Sequence, residues 1–259
     1  MGEDEELRAA ANAAADAARA AILPHFRMPV AVETKGPGFD PVTVADREAE
    51  AAMRAVLARL RPHDAILGEE AGATAGTTGL TWVLDPIDGT RAFIAGAPTW
   101  GVLVGLREGD RIRLGLIDQP FTGERFEGGP DGAVWTRGAE RRALRVRGTT
   151  ALAEATILTT FPEVGTAAEG AAFRRLAARC RLARYGLDCY AYALLALGTV
   201  DLVVEAGLHP YDVAGPIGVV EAAGGTVTAW DGGSPIEGGT IVAAATPALH
   251  SAAMEVLNG

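Results

Sequence analysis

Trp82-Val83-Leu84-Asp85-Pro86-Ile87-Asp88-Gly89-Thr90 runs from an apolar strand into two carboxylates, a proline, a glycine and a hydroxyl. Two acids three residues apart at the end of a buried strand suit a hard divalent cation, because Mg2+ takes oxygen ligands and the empty site is costly through mutual repulsion. Gly89 and Thr90 then read as a helix start, where free backbone N–H groups can hold a phosphate. A strand-to-helix turn whose acids only cap the helix uses the same residue types. The flanking sequence has to separate the two readings.

Working outward, Ala65-Ile66-Leu67-Gly68 is a second strand, and it too runs into acids, Glu69-Glu70. Upstream, Val42 to Leu60 carries Val44, Ala45, Ala49, Ala52, Met53, Val56, Leu57 and Leu60 at helical spacing, with Asp46 near its start. Glu33 to Pro41 is a turn-rich loop of a length often used for lids. Ahead of it, residues 4 to 22 form an alanine-rich helix stopped by Pro24, and Met28 to Val32 is a short strand candidate. Downstream, Trp100 to Leu106, Arg111 to Ile117, Glu124 to Glu127 and Ala133 to Thr136 form a meander. Beyond about residue 145, strands near 156–159, 181–185, 200–204 and 240–244 alternate with helices near 168–180, 188–198, 212–223 and 246–257, an α/β pattern. The chain thus divides into an α+β half, 1–145, and an α/β half, 146–259, which contributes Asp212.

At 259 residues and 49% hydrophobic content the chain is a globular one large enough for one big core or two packed subdomains. Its net charge of −10 argues against a basic nucleic-acid surface. A small anionic substrate needs a local inversion of that field, which bound divalent metal supplies. Cys180 and Cys189 have no metal or disulfide spacing, the N-terminus is acidic where a secretory signal is basic, and no apolar run is long enough to span a membrane. A cytoplasmic location is expected. Lys35 is the one lysine among 23 cationic residues, a bias of arginine-rich coding that leaves its survival open to interpretation.

Asp46, Glu69 with Glu70, Asp85 with Asp88, and Asp212 arrive from four separate segments. Acids clustered in one segment make a solvated face, whereas acids delivered by several elements are what a two-metal oxygen site requires. Gly68-Glu69-Glu70, Asp85-Pro86-Ile87-Asp88-Gly89-Thr90, Asp40-Pro41-Val42-Thr43-Val44-Ala45-Asp46 and Tyr211-Asp212-Val213-Ala214-Gly215 together resemble the inositol monophosphatase superfamily of Mg2+-dependent, lithium-sensitive phosphatases. The resemblance implies a layered αβαβα sandwich and a homodimer. It also implies two or three Mg2+ ions: Glu69, Asp85 and the Ile87 carbonyl on one, Asp85, Asp88 and Asp212 on a second. Thr90, oriented by Asp46 and helped by Glu69, would position the attacking water, and the backbone of Gly89 and Thr90, with Lys35, would hold phosphate.

The alcohol part of the substrate is read from softer signals. Gly186-Leu187-Asp188-Cys189-Tyr190-Ala191-Tyr192, Val203 to Asp212, and Thr90-Arg91-Ala92-Phe93 with Pro98-Thr99-Trp100-Gly101 look most like the histidinol-phosphate phosphatase branch, whereas Val213-Ala214-Gly215-Pro216 resembles the inositol type. Histidinol phosphate carries an ammonium and an imidazole, for which Asp188 and Glu205 are sensible partners, with Arg91 as a further substrate contact. An inositol-1-phosphate phosphatase is the alternative, bisphosphate nucleotide and fructose bisphosphate rank below it, and a metal-binding scaffold without turnover is the reading from another class. Asp188 also suits a helix N-cap, and His209, in a turn before Pro210, reads as a surface residue rather than a general base.

Overall fold

The computed structural model describes residues 2–34 and 41–259. Lys35 and the remainder of the turn-rich stretch through Asp40 lie outside the described residues, so neither the expected phosphate contact nor the lid is placed.

The first layer is a helix pair, α1 (Glu3–Ile22) and α2 (Val44–Leu60). Ala10, Ala11, Ala14, Ala15 and Ala18 are buried on one face of α1, and these short side chains let it lie close against Ala45, Ala49, Met53 and Leu57 of α2. Four acids in the first turn of α1 and Arg19 in its last complement the helix dipole. Thr43 caps α2 in a capping box with Asp46. Between the helices, β1 (Val32–Thr34) pairs antiparallel with β2 (Pro41–Thr43). The strand therefore starts where Met28–Val32 was expected to end; Met28 is 59% exposed and has no sheet to join.

The second layer is an eight-stranded sheet built from β3 (Ala65–Gly68), β4 (Gly72–Thr74), β5 (Leu80–Asp88), β6 (Gly101–Glu108), β7 (Arg111–Gln119), β8 (Glu124–Gly129), β9 (Gly132–Arg137) and β10 (Glu140–Ala143). Their order is β10-β9-β8-β7-β6-β5-β3-β4, parallel only between β3 and β5. Its residues alternate faces: Val102, Val104 and Leu106 meet α1 and α2, while Leu103, Ile117 and Phe126 face the other way. Against that second face lie α5 (Tyr190–Ala196) and α6 (Pro210–Ala222), the third layer. The fourth is a five-stranded sheet of β11 (Thr156–Thr159), β12 (Leu182–Tyr185), β13 (Leu202–Leu208), β14 (Thr226–Ala229) and β15 (Gly239–Ala244), in the order β12-β11-β13-β15-β14. Leu158, Val203 and Ala243 pack inward on α5 and α6; Ile157, Leu202, Val204, Val242 and Ala244 pack outward on the fifth layer, α4 (Ala167–Ala177) and α7 (Pro247–Leu257). Three apolar cores thus join five layers, the middle core packing both sheets onto the α5–α6 layer, and the whole is the αβαβα sandwich. Strands apolar on both faces read as the continuous hydrophobic runs seen in the sequence.

One contact fixes the third layer on the second. Gly105, Gly115 and Gly128 are register partners across β6, β7 and β8, a row without side chains. Helix α6 lies in this groove at backbone distance: a Cβ on Gly115 would sit 2.2 Å from the Gly215 carbonyl oxygen, one on Gly128 2.2 Å from that of Gly218, and one on Gly105 2.4 Å from the Ala214 Cβ. The helix starts at Pro210, so Pro216 falls in its interior, and the Asp212 carbonyl receives no N–H from position 216.

Asp64, ahead of β3, anchors the edge of the larger sheet by accepting from Arg61 Nε (2.8 Å), Thr78 Oγ1 (2.7 Å) and the buried Trp82 Nε1 (3.0 Å). Burial pushes its carboxyl up, but these donors outweigh burial and hold it below the usual aspartate range. The folded state therefore favours the ionised form, and its contribution is present above the ordinary aspartate value and is lost as pH falls through the lowered one. Asp64→Asn is expected to cost about 1.5–3 kcal/mol at pH 7. Urea melts at pH 7 and pH 3 should show the difference from wild type narrowing at the lower pH.

Candidate active site

The end of β5 delivers the acids. Asp85 is buried, and its Oδ1 accepts the Ile87 N–H at 3.0 Å, a local turn that closes on itself. Between Asp85 and Asp88 the β5–β6 register shifts, a bulge that re-aims the strand end. Asp88 Oδ2 accepts the Cys189 N–H at 2.6 Å, and Asp212, third residue of α6, accepts the His209 N–H at 2.7 Å. Each carboxylate is thus oriented by a backbone N–H, and one oxygen from each of Asp85, Asp88 and Asp212 lies within 4.8 Å of the others.

Burial pushes the carboxyls of Asp85 and Asp88 far up, reinforced at Asp85 by the charges of Glu69, Asp88 and Asp212 and at Asp88 by those of Asp212 and Asp188. Glu69 also shares a hydrogen bond with Asp85. Converging hard oxygens whose charges repel are the donor set a divalent cation neutralises.

Beside them, Asp46 is held by the Thr43 N–H (2.8 Å) and Oγ1 (2.6 Å) and faces Thr90 Oγ1 at 3.5 Å, a hydroxyl that also lies 3.2 Å from the Ile87 carbonyl. Gly89 takes φ +83°, and a Cβ there would lie 2.8 Å from Asp188 Cγ. No side chain fits between Asp188 and this turn. The buried Glu50 accepts the N–H groups of Glu70 (2.6 Å) and Ala71 (3.0 Å) and the Arg54 Nε (2.7 Å), which fixes the turn that carries Glu69.

Glu69, Asp85, Asp88, Gly89, Thr90 and Asp212 line a cavity of about 540 Å³ whose opposite wall comes from the C-terminal half: Thr160, Phe161, Asp188, Tyr192, Glu205 and His209. Glu205, on β13, is buried, and this pushes its carboxyl up to about 7 against the hydrogen bonds of Thr160 and Thr159. Asp188 has φ +46° and accepts from Thr99 Oγ1 at 3.3 Å; burial raises it to about 6 despite Thr99 and the charge of Arg91. Arg91 stacks over the exposed Phe161 ring at 5.1 Å. His209 is exposed at the rim, stacked on Tyr211 with ring centroids 5.1 Å apart. One mouth therefore joins an acidic cation cradle to a second pair of acids.

The model of the Inositol monophosphatase family matches residues 3–258. The chain belongs to this family. It is 36% identical over 265 residues to a histidinol-phosphatase of Streptomyces coelicolor, an alignment covering 98% of this chain and 97% of that one. It is 40% identical over 232 residues to the bifunctional phosphatase IMPL2, chloroplastic, of Arabidopsis thaliana, covering 89% of this chain but 66% of that longer protein. Among solved structures, an inositol monophosphatase from Zymomonas mobilis superposes with a TM-score of 0.88 at 37% identity over the full length of both chains. The protein is accordingly a phosphatase of the inositol monophosphatase family. Among its described residues no helix is long and apolar enough to cross a membrane.

Of the sequence-derived site residues of this phosphatase, Glu69, Asp85, Ile87, Asp88, Gly89, Thr90, Arg91, Asp188, Glu205 and Asp212 all border the one cavity. Asp46 stands behind Thr90, and Glu70 is not among the cavity residues. Asp188 is not the cap of α5; that position is Cys189, and Asp212 sits inside α6, whose cap is His209. Sequence reasoning missed Glu50, which holds the turn that carries Glu69, and Thr159 and Thr160, which hold Glu205; Thr99 was quoted without a role, and it donates to Asp188. Only Glu50 left a signal, an acid four residues after Asp46 on the apolar stripe of α2.

Proposed function

We propose that the phosphatase is a Mg2+-dependent phosphomonoesterase that hydrolyses L-histidinol phosphate to L-histidinol and phosphate, a step of histidine biosynthesis. The observation that carries this reading is Glu205: a buried carboxylate in the wall facing the cation cradle, with Asp188 nearby, suits a substrate whose alcohol part is cationic. The Streptomyces relative named as a histidinol-phosphatase supports it. The second reading, inositol-1-phosphate, is favoured by the full-length likeness to the Zymomonas structure. Phosphate release from histidinol phosphate, inositol phosphates, fructose 1,6-bisphosphate and adenosine bisphosphate decides between them.

The donor set fits hard divalent ions, with Glu69, Asp85 and the Ile87 carbonyl for one and Asp85, Asp88 and Asp212 for another. When bound, such ions neutralise phosphate and acidify a water. The chain's own groups do the remaining work. Asp46 keeps the Thr90 hydroxyl oriented, so that its oxygen lone pairs and Glu69 are available to a water approaching phosphorus. The N–H groups of Gly89 and Thr90 are donors for phosphate oxygens, with Lys35 a further contact. Asp188, Glu205 and Arg91 orient the leaving alcohol. A homodimer and a cytoplasmic location belong to the same proposal, the first checked by light scattering.

Glu205→Gln keeps the shape and removes the charge. It should raise KM for histidinol phosphate about tenfold or more and change KM for a neutral polyol phosphate far less. Equal losses on both esters would count against amine recognition.

A further inference from the structure

Glu205 does not hold its position alone. Thr159 Oγ1 donates to its Oε2 at 2.9 Å, and the N–H and Oγ1 of Thr160 both donate to its Oε1, at 2.7 and 2.9 Å. All three donors are neutral, and both threonines belong to one short segment at the carboxyl end of β11. The next residue, Phe161, carries the ring on which Arg91 stacks. Thr160 itself lines the cavity. Neutral donors orient a carboxylate and favour its ionised form against burial without cancelling its charge, which is then available to a cationic occupant of the cavity.

From this clamp we infer that Thr159 and Thr160 are positioning residues for substrate selection: their hydrogen bonds aim Glu205 and favour its anionic form for the cationic alcohol of the phosphate ester. The inference rests on the reading of Glu205 given under the proposed function. The other charged or titratable groups around the carboxylate are Asp188, just ahead of α5, which opposes its ionisation, and the Tyr192 phenol on α5. Arg91 acts on Asp188 from α3 (Thr90–Ala95), and Asp88, Asp212 and His209 border the same cavity. The threonine hydrogen bonds are the named contacts that favour the ionised form of Glu205, and they come from the end of β11.

Thr160→Val removes one O–H at nearly constant volume, and Thr160→Ser keeps it. With Mg2+ present, Thr160→Val should raise KM for histidinol phosphate about tenfold while KM for glycerol 2-phosphate moves less than twofold. The acidic limb of the kcat/KM profile for histidinol phosphate should shift to higher pH, and Thr160→Ser should restore both. Equal KM losses on the two esters, an unmoved pH limb, or failure of serine to rescue would each overturn the inference. Thr159→Val, which acts on the other oxygen, gives the same comparison should Thr160→Val fail to fold. Should wild type not turn over histidinol phosphate, the substrate reading fails by itself. The clamp is then judged by carboxyl NMR with 13C-glutamate, the Glu205 signal being identified with Glu205→Gln. An upward shift of its titration in Thr160→Val or Thr159→Val supports the clamp, and no shift rejects it.

Discussion

Asp88→Asn is expected to lower kcat on the order of 10³-fold or more while leaving the fold intact. Asparagine keeps an acceptor for the Cys189 N–H, so the local hydrogen bond survives, but a formal charge leaves the group that Asp88 forms with Asp85 and Asp212. The same variant should behave in the opposite sense in stability. Burial, then the charges of Asp212 and Asp188, push the Asp88 carboxyl up, so in the absence of cations its ionised form destabilises the fold at neutral pH. A folded-state value above the unfolded one means that wild type gains stability as pH falls through the raised value. In EDTA, Asp88→Asn should therefore melt higher than wild type at pH 7.5, with the gap closing toward pH 5. With Mg2+ the order should reverse, because wild type gains more from the ion. Near-normal turnover, or a lower melting point in EDTA, would sink the cation-cradle assignment.

Gly115→Ala is the other large effect, and it lies outside the cavity. The added Cβ would meet the Gly215 carbonyl oxygen at 2.2 Å, with the Gly218 Cα at 2.8 Å. These are backbone atoms that no rotamer change can move aside. Helix α6 must then shift by roughly an ångström, at a cost of about 3 kcal/mol, and it takes Asp212 with it. A displacement of that size at a reacting site costs about 10²-fold in rate. Thermal melts together with a Mg2+ titration of activity check this: lower melting temperature, higher half-saturating Mg2+ and lower kcat should appear together. Loss of stability with unchanged Mg2+ dependence would show that α6 does not transmit the shift to Asp212.

Much of the architecture was legible in the sequence because buried strands and amphipathic helices have short, local periods. Leu80–Leu84 and Val44–Leu60 declare themselves by apolar spacing, although Val42 and Thr43, read as part of that helix, pair in β2 instead, and the acids stand out where those patterns stop. The bounds moved where pairing rather than composition decides: β5 runs on to Asp88 through a bulge that only its partner β6 reveals, and β4, β10 and β14 were missed because three or four residues carry too little pattern. For the site, acids in four segments could be listed from sequence. What holds them could not, since Glu50 reaches Glu70 and Thr160 reaches Glu205 across 20 and 45 residues. The glycine row has a similar reason. Gly105, Gly115 and Gly128 each look like a weak point in a strand, and they become one groove only when β6, β7 and β8 lie in register.

That groove also sets a timetable. A ribosome delivers β6, β7 and β8 well before the residues from Pro210 to Ala222 exist, so a strip of sheet bare of side chains has to wait for its cover through about eighty residues of further synthesis. Glycine-rich strands lose more backbone freedom on ordering and bury little in return. The nascent N-terminal sheet is therefore the vulnerable stage in the life of this chain, and a chaperone or a slowed translation rate should matter most between the completion of β8 and the arrival of α6.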